Sequence, residues 1–465
     1  MTSTATLPPK SEILTRWLPL LAFCAVLAHN FWYVNGNAIN IPHQDDIYDF
    51  VQFVSVVENT GSTSERFKVL FSQYNDHRTS ATRALVYGIY LVEGELNFHT
   101  LTLVANLGLW LILFLFYWTV RKEKYRWVYL LISSLLLLHL RYVEITLFSQ
   151  GAFAYYYVCV YAFACILMLH RVSGPKFLLA AVFCTLSSLT LASGQIAWLL
   201  GFVTLSHQCL VNRRSLMWPM MWLLIAAVML MLWHSGFTDV PHKITSDMLA
   251  KHDESIELSN SVGWGKSAII DPDYMQTLTR YAAFFLVLLG SGLVYFSEFS
   301  AGVFGFIVLA ALLFVTLKFY KHDDIRLTLF CWFLVGFSAA VTVGRSLIAG
   351  PEYILSSRYT FISALLLCTL VLLLQVRFAS KRPALLLLLI PAVMYWSYFN
   401  FYFEARSERY MQGRYLEFNR GRFPVILMPA GESEKIVNEA ISAGIYNPPC
   451  RPLPKCENRH LPSDE

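Results

Sequence analysis

The sequence predicts an all-α polytopic membrane protein, and two observations support this fold class. Of the 465 residues, 56% are hydrophobic and 14% are charged, and the mean hydropathy is +0.50, values outside the range of soluble domains. Apolar runs of about 20 residues, the length that crosses the hydrocarbon core of a bilayer, recur along almost the whole chain. Lipid offers no hydrogen-bond partner to an open backbone, so each run is predicted to be a helix.

About 11 segments have the length and composition of transmembrane helices. They are 17–34, 98–120, 127–140, 152–170, 177–192, 194–211, 215–234, 302–319, 327–345, 359–376 and 384–401. The first is expected to remain as an anchor, because its apolar stretch is long and no signal-peptidase site of the small-x-small type precedes the polar Asn35-Gly36-Asn37. We therefore predict one transmembrane domain over 1–401 and a small extramembrane tail over 402–465.

The orientation is predicted from the short basic loops, which favour the cytoplasm. The Lys and Arg clusters all fall on one side if 281–296, which carries Gly290-Ser291-Gly292, does not cross the membrane, whereas two crossings within 281–319 would place Lys318 outside. We expect 281–296 to be re-entrant or interfacial, because broken helices are tolerated where they line a cavity. Two ordinary spans with one misplaced basic loop are the alternative, since the charge rule has exceptions.

This topology places four parts of the chain on the outer face. They are the first loop, 35–97, with amphipathic helices, a short segment around 141–144, a second large loop, 235–280, and the tail. In the tail, Cys450 and Cys456 bracket a Pro-rich segment and are candidates for a disulfide in an oxidising periplasm. Arginines between 406 and 422 favour the cytoplasm by the charge rule, or else bind anionic headgroups or lipid phosphates. We expect the tail to be periplasmic.

The first candidate catalytic group is the pair Asp45-Asp46, directly after the first span. A carboxylate beside the membrane can act as a general base, which accepts the proton of a hydroxyl as its oxygen attacks an electrophilic carbon. The neighbouring charge would raise the pKa of one of the two, and His43 is close enough in sequence to tune the pair or relay a proton. The alternative is a solvated loop whose acids cap a helix that begins at Ile47.

The second group is the motif Tyr74-Asn75-Asp76-His77-Arg78, followed by Arg83. An acid, an imidazole and a guanidinium are costly to place beside lipid without a function, and this cluster shares the first outer loop with Asp45. We predict Asp76 as a further catalytic candidate, and Asn75, His77 and Arg78 as substrate-binding residues. The alternative is a surface helix with intrahelical ion pairs.

The third group is Ser357-Arg358-Tyr359, directly before a late span. Arginine at the membrane entry binds phosphate in a bidentate manner, and a lipid-phosphate donor presents phosphate at that depth. Arg358, Tyr359 and Arg280 are therefore predicted to bind substrate. The alternative for each arginine is snorkelling from a helix end. The acids and histidines of 235–280 match no metal site, and the chain lacks a Walker lysine and a serine-hydrolase elbow.

These three groups resemble the integral-membrane glycosyltransferases of the GT-C fold, which use polyprenyl-phosphate sugars and carry an acid in the first outer loop. The resemblance rests on Asp45-Asp46, Asn75-Asp76-His77-Arg78 and Ser357-Arg358-Tyr359, and its layout extends over about 17–401. Bacterial relatives often have Asn-Glu-His-Arg at the second element, so Asp76 replaces a longer acid.

The resemblance implies an inverting transfer on the outer face of a bacterial cytoplasmic (inner) membrane. Asp45 or Asp46 would be the base, the other aspartate would orient the acceptor, and Arg358 would stabilise the departing phosphate. The donor would be a polyprenyl-phosphate-linked sugar. The acceptor would be an envelope glycan or glycolipid, such as lipopolysaccharide or O-antigen, or a protein such as pilin. No cofactor is expected. Some members of the fold use a divalent metal that Asp45, Asp46 and Asp76 would be able to hold, but we expect none here.

Other functions remain open. A transporter or flippase of lipid-linked saccharide would need charged residues along a path through the bilayer, and such residues are scarce in midspan. An O-antigen polymerase or ligase would concentrate arginines in large late outer loops, whereas the acids here come early. A scaffold without activity would tolerate replacement of Asp45 and Asp46. The lipid bilayer is an expected partner in every case, and a nucleic acid is not.

Overall fold

The computed structural model describes residues 17–74, 77–237, 274–346, 354–355, 357–378, 387–423 and 431–449. Over these ranges the regular secondary structure is helical, and β-pairing is limited to the isolated bridges Tyr74–His77 and Leu96–Tyr446. The all-α prediction is confirmed for the described chain.

The α-helices are numbered in chain order. They are α1 Leu18–Asn37, α2 Phe53–Asn59, α3 Thr63–Leu70, α4 Ser80–Glu93, α5 Phe98–Val120, α6 Arg126–Leu137, α7 Val143–Thr146, α8 Ser149–Leu169, α9 Gly174–Ser188, α10 Ile196–Asn212, α11 Met217–His234, α12 Tyr274–Gly290, α13 Glu298–Phe319, α14 Arg326–Arg345, α15 Ser357–Phe378, α16 Leu389–Asn419 and α17 Glu432–Ser442. A π-helix, Ile47–Gln52, precedes α2, and short 3₁₀ turns occupy Leu140–Tyr142 and Ala192–Gln195.

Nine helical stretches within the described residues are long and apolar enough to cross a membrane. They are Leu18–Asn37, Phe98–Val120, Arg126–Thr146, Ser149–Leu169, Ala192–Val211, Met217–His234, Glu298–Phe319, Arg326–Arg345 and Arg358–Phe378. The segment 177–192 corresponds to the shorter apolar helix α9, and 384–401 overlaps the start of α16. A multi-pass membrane protein is therefore confirmed, while the number of eleven spans stays a prediction.

Helix α8 lies at the centre of the bundle and is buried along almost its whole length. It packs against α5, α9 and α10. Gly108 of α5 permits a close approach of α5 to α8, because a Cβ there would lie 2.6 Å from Cβ of Tyr156 on α8. The bundle is thus fixed around α8, and both ends of the first loop are attached to it through α1 and α5.

Helices α12 and α13 form an antiparallel hairpin over the region predicted to be re-entrant. Their backbones touch at two glycines: a Cβ at Gly290 would lie 1.9 Å from the carbonyl oxygen of Ala301, and one at Gly305 would lie 1.9 Å from that of Leu286. The helix begins at 274 and ends at Gly290, so it is offset from the predicted 281–296. The re-entrant or interfacial course stays a prediction.

The C-terminal part of the chain is joined to the first loop. Helix α16 continues without a break through 401, the predicted domain boundary, to Asn419. Beyond it, α17 packs on the π-helix, and the Tyr446 hydroxyl donates to the carbonyl oxygen of Asn40 at 2.8 Å. These contacts put the described tail and the first loop on the same side of the bundle. The segment 141–144, expected to be exposed, is instead buried.

Candidate functional site

An open cavity lies between the first loop, the start of α8 and the start of α15. Its empty volume, including the mouth, is about 710 Å³. It is lined by His43, Gln44, Asp45, Tyr74, His77, Glu144, Ile145, Phe148, Gln150, Gly151, Ala154, Tyr155, Leu191, Arg345, Arg358, Tyr359 and Tyr410. The structure thus brings five of the sequence-predicted residues together: His43, Asp45, His77, Arg358 and Tyr359.

The loop that carries the aspartates makes a tight turn at Gln44, whose φ of 47° is in the left-handed region. The turn is closed by the Asp46 amide, which donates to the carbonyl of His43 at 3.0 Å, and the π-helix begins at Ile47. Neighbouring residues of such a turn point in different directions. As a result, Asp45 and Asp46 face different surroundings.

Asp45 lines the cavity and is partly exposed. The Tyr74 hydroxyl donates to its Oδ1 at 2.8 Å. Burial and the nearby Asp45 charge hold the pKa of Tyr74 well above its usual value, so this hydroxyl stays a donor at neutral pH. Asp45 is therefore a carboxylate oriented by one hydrogen bond and placed where a ligand can reach it.

Asp46 lies behind the cavity and is 1% exposed. Its side chain does not cap the helix at Ile47. Instead, its Oδ1 accepts from the Ser149 hydroxyl at 2.5 Å and the Gln150 amide at 2.9 Å, and its Oδ2 accepts from the His43 amide at 3.0 Å. Burial raises its pKa to about 7, although these donors and Arg414 oppose the rise. Asp46 thus attaches the loop to the first turn of α8, where anions are favoured.

Asp49, which the sequence did not single out, forms a buried ion pair with Arg83. The Arg83 Nε lies 2.8 Å from the Asp49 Oδ1, and the Thr79 hydroxyl donates to the same oxygen at 2.6 Å. Arg83 Nη1 also donates to the carbonyl of Ser72 at 3.0 Å. This pair closes the rear of the first loop by joining the π-helix to α4, and it does not line the cavity.

His43 lies at the cavity wall between two rings, those of Phe148 and Tyr410, each with a centroid 5.5 Å from the imidazole. Burial, followed by the charges of Arg414 and Arg358, holds its pKa well below the usual value. The imidazole is therefore neutral at pH 7. The ring is therefore able to donate or accept a hydrogen bond, and it adds no positive charge to the cavity.

Arg358 and Arg345 bring positive charge to the cavity. Arg358 Nη2 lies 3.4 Å from Oε1 of Gln44, a residue 314 positions away in the sequence. Tyr359, 2% exposed, packs edge-on against Tyr155 of α8. Helix α15 therefore presents a guanidinium to the loop that carries Asp45.

Arg78 is directed away from the cavity. Its guanidinium donates to three backbone carbonyls, those of Phe71, Trp233 and Ser235. These bonds join the first loop to the end of α11. The geometry therefore gives Arg78 a structural role and does not support the predicted contact with substrate.

The remaining predicted residues lie elsewhere. Arg280 is on α12 and is not part of the cavity lining. Asn75, Asp76, Cys450 and Cys456 lie outside the described residues. Within the described part of the chain, no three His, Cys, Asp or Glu side chains are arranged to hold a metal ion.

Sequence reasoning missed several polar or aromatic residues of the lining, among them these four: Glu144, Gln150, Tyr155 and Tyr410. Glu144 is the only one of these four with a carboxylate, and an acid at the end of an apolar span was the signal that would have found it. Tyr410 lies in the part of α16 beyond 401, which the sequence assigned to a separate tail. No sequence pattern links it to the first loop.

Comparisons with protein-family models, curated proteins and solved structures find no match to this chain. The function is therefore argued from the cavity itself.

Proposed function

We propose that this protein is an inverting glycosyltransferase that moves a sugar from a polyprenyl-phosphate donor to an envelope acceptor. The observation that supports the proposal best is the convergence of Asp45 and Arg358 on one cavity. A carboxylate and a guanidinium at the edge of a membrane-spanning bundle fit the two charges of the reaction, a proton to be accepted and a phosphate to be released.

In the proposed reaction, Asp45 accepts the proton of an acceptor hydroxyl. The hydroxyl oxygen attacks the anomeric carbon, and the bond between that carbon and the phosphate oxygen breaks. The polyprenyl phosphate leaves with the bonding electrons, and the new glycosidic bond has the opposite anomeric configuration. Asp45 is favoured over Asp46 as the base, because Asp46 lies behind the cavity with three hydrogen-bond donors on its carboxylate.

Arg358 is proposed to bind the donor phosphate and to stabilise the charge that grows on it as the bond breaks. Arg345 lines the same cavity and adds to the positive potential there. His43, whose imidazole is neutral, and His77 line the same cavity and are proposed to hydrogen-bond sugar or acceptor hydroxyls. The lining combines these polar groups with aromatic rings, as is typical of small-molecule sites.

The proposal places the site on the outer face of a bacterial cytoplasmic membrane. Its acceptor would be an envelope glycan or glycolipid, or a secreted protein such as pilin. Labelling of single cysteines introduced at 62 and 409 from outside intact cells tests the location. Accessibility at both positions supports an outer site, and labelling only after lysis contradicts it.

The deciding experiment measures sugar transfer from a panel of synthetic polyprenyl-phosphate sugars to envelope extract. Purified wild type is compared with Asp45→Asn, Arg358→Ala and, as a matched control, Arg409→Gln, which changes an exposed arginine of α16. We expect transfer from at least one donor, loss of it in the first two variants and retention in the third. Well-folded wild type that transfers sugar from no donor contradicts the proposal, and flipping of lipid-linked saccharide in proteoliposomes would then favour a transporter.

A further inference from the structure

Glu144 is a second carboxylate of the cavity, and neither the sequence motifs nor the proposed reaction uses it. It lies at the end of the apolar stretch Arg126–Thr146 and is 7% exposed. It lines the same cavity as Asp45. A buried acid is costly in free energy unless its oxygens are paired, so its partners indicate its role.

Only one of the two Glu144 oxygens has a partner within the described part of the chain. Oε1 lies 3.1 Å from Nη2 of Arg406 on α16, and Oε2 is buried without a hydrogen-bond partner there. Most buried polar atoms in native proteins are satisfied, and each exception needs an explanation. Asp46 and Asp49 provide the contrast in this molecule, since both oxygens of each accept hydrogen bonds.

The surroundings of Glu144 indicate what would satisfy the open oxygen. The cavity that Glu144 lines is also lined by the aromatic rings of Phe148, Tyr155 and Tyr410. Aromatic faces pack against the C–H surfaces of a pyranose ring, and a carboxylate accepts strong hydrogen bonds from its hydroxyls. A saccharide offers both kinds of surface, whereas a phosphate dianion offers neither.

We infer that Glu144, oriented by Arg406, binds a saccharide hydroxyl in this cavity. The inference rests on the proposed function, because it takes the ligand to be a glycan. The hydroxyl belongs either to the sugar of the lipid-linked donor or to the acceptor glycan, and the experiment separates the two. The C-terminal helix then contributes to sugar recognition through Arg406.

The test measures binding and so does not require turnover. Affinities of the purified protein for bare polyprenyl phosphate, for glycosylated polyprenyl phosphates and for free acceptor glycans from envelope extract are compared in wild type and Glu144→Gln. We expect about 10- to 100-fold weaker binding of one saccharide ligand, the loss of a hydrogen bond to a charged group, with unchanged affinity for bare polyprenyl phosphate. Weakening in the glycosylated-lipid arm assigns the hydroxyl to the donor, and weakening in the glycan arm assigns it to the acceptor.

Unchanged binding of bare polyprenyl phosphate also shows that the variant is folded. If Glu144→Gln does not fold, Glu144→Asp and Arg406→Gln replace it. Each of these changes moves the carboxylate oxygen that has no partner but keeps a polar side chain at the substituted position. Exposed residues of α16 provide matched controls, Glu404→Gln and Arg409→Gln, and neither is expected to change any affinity.

The role of Arg406 is tested by a double-mutant cycle. If Arg406 acts through Glu144, Arg406→Gln weakens saccharide binding in wild type and has little further effect in Glu144→Gln. The inference is overturned if wild type and Glu144→Gln bind saccharides with equal affinity. It is also overturned if the wild type binds glycosylated lipid no better than bare lipid and binds no glycan. Absence of transfer with this binding pattern intact would instead contradict only the proposed function.

Discussion

The two faces of the first loop use the same residue types for different purposes. On the cavity face, Asp45 is partly exposed, and within the described part of the chain its side chain accepts one hydrogen bond, from Tyr74. On the rear face, Asp46 and Asp49 are buried and accept hydrogen bonds on both oxygens. A carboxylate whose two oxygens both accept hydrogen bonds from the protein stabilises the fold. A carboxylate that can still accept further hydrogen bonds is available to a ligand. The number of partners therefore separates the roles of adjacent aspartates.

The largest effect is expected on the cavity face, from Asp45→Asn. An amide does not accept the proton of an attacking hydroxyl, so transfer should fall about 10²- to 10⁴-fold, the usual contribution of a general base. The thermal unfolding midpoint should be unchanged, because Asp45 is partly exposed. Initial rates at saturating donor, together with unfolding by fluorescence in detergent, measure the two quantities. Transfer at the wild-type rate would remove Asp45 from the mechanism.

On the rear face, Arg83→Leu should reduce stability and not chemistry. The variant leaves Asp49 buried without its ion pair, a change that costs about 3–5 kcal/mol. The free energy of unfolding in detergent should drop by that order, and transfer per folded molecule should stay close to wild type. The double variant Asp49→Leu/Arg83→Leu provides the control, because replacement of both charges should restore part of the loss. A stable Arg83→Leu that binds donor poorly would place this pair at the site.

Much of the fold was predictable because the bilayer imposes it: an apolar run in lipid must be a helix. The continuation of α16 past 401 was not, because its charged second half looks like a solvated tail. Arg406 and Arg414 instead find partners inside the protein, Glu144 for the first and the carbonyls of Leu147 and Ile41 for the second. Such contacts join residues hundreds of positions apart, and a single sequence contains no record of them.

Part of the candidate site was likewise predictable from the sequence, and part was not. Asp45 and Arg358 were selected by residue type and by position beside a span, and His77 as part of the motif at 74–78; the structure places all three in one cavity. The separation of Asp45 from Asp46 was not predictable, since it depends on the positive φ of Gln44 and on Ser149. Arg78 was selected as part of the motif at 74–78, but two of its three carbonyl partners, Trp233 and Ser235, lie in a distant segment that the motif does not indicate.

A third, smaller effect is expected from Asp46→Asn, again on stability. The asparagine amide group would face either the His43 amide or the Ser149 and Gln150 donors, so one former hydrogen bond becomes a clash between donors. A loss of about 1–3 kcal/mol follows at pH 8. Asp45→Asn serves as the matched isosteric control and should lose none. Equal unfolding free energies for wild type and Asp46→Asn would show that the attachment to α8 contributes nothing.

The same residue predicts a pH dependence of stability. The pKa of Asp46 is raised from 3.8 to about 7 by burial, so between these values the folded protein retains a proton that the unfolded chain has lost. Stability should therefore fall as the pH rises from about 4 to about 7 and level off above. Burial also raises the pKa of Asp49, and it raises the pKa of Glu417 to about 7, so both groups change the stability in the same direction. The decline in the free energy of unfolding, measured by chemical denaturation, should be shallower in Asp46→Asn than in wild type. If the two declines are identical, the pH dependence belongs to Asp49 and Glu417.

The smallest effect is expected from Arg78→Lys. A lysine keeps the charge but offers one ammonium in place of a fork that reaches three carbonyls, so the free energy of unfolding should fall by about 1 kcal/mol. Donor affinity should stay at the wild-type value, because Arg78 is not part of the cavity lining. Arg358→Lys is the matched change on the cavity face and should weaken donor binding with little loss of stability. If Arg78→Lys weakens donor binding as strongly as Arg358→Lys, then the carbonyl contacts of Arg78 are not its main role. Arg78 would then belong with the ligand-binding residues and not with those that stabilise the fold.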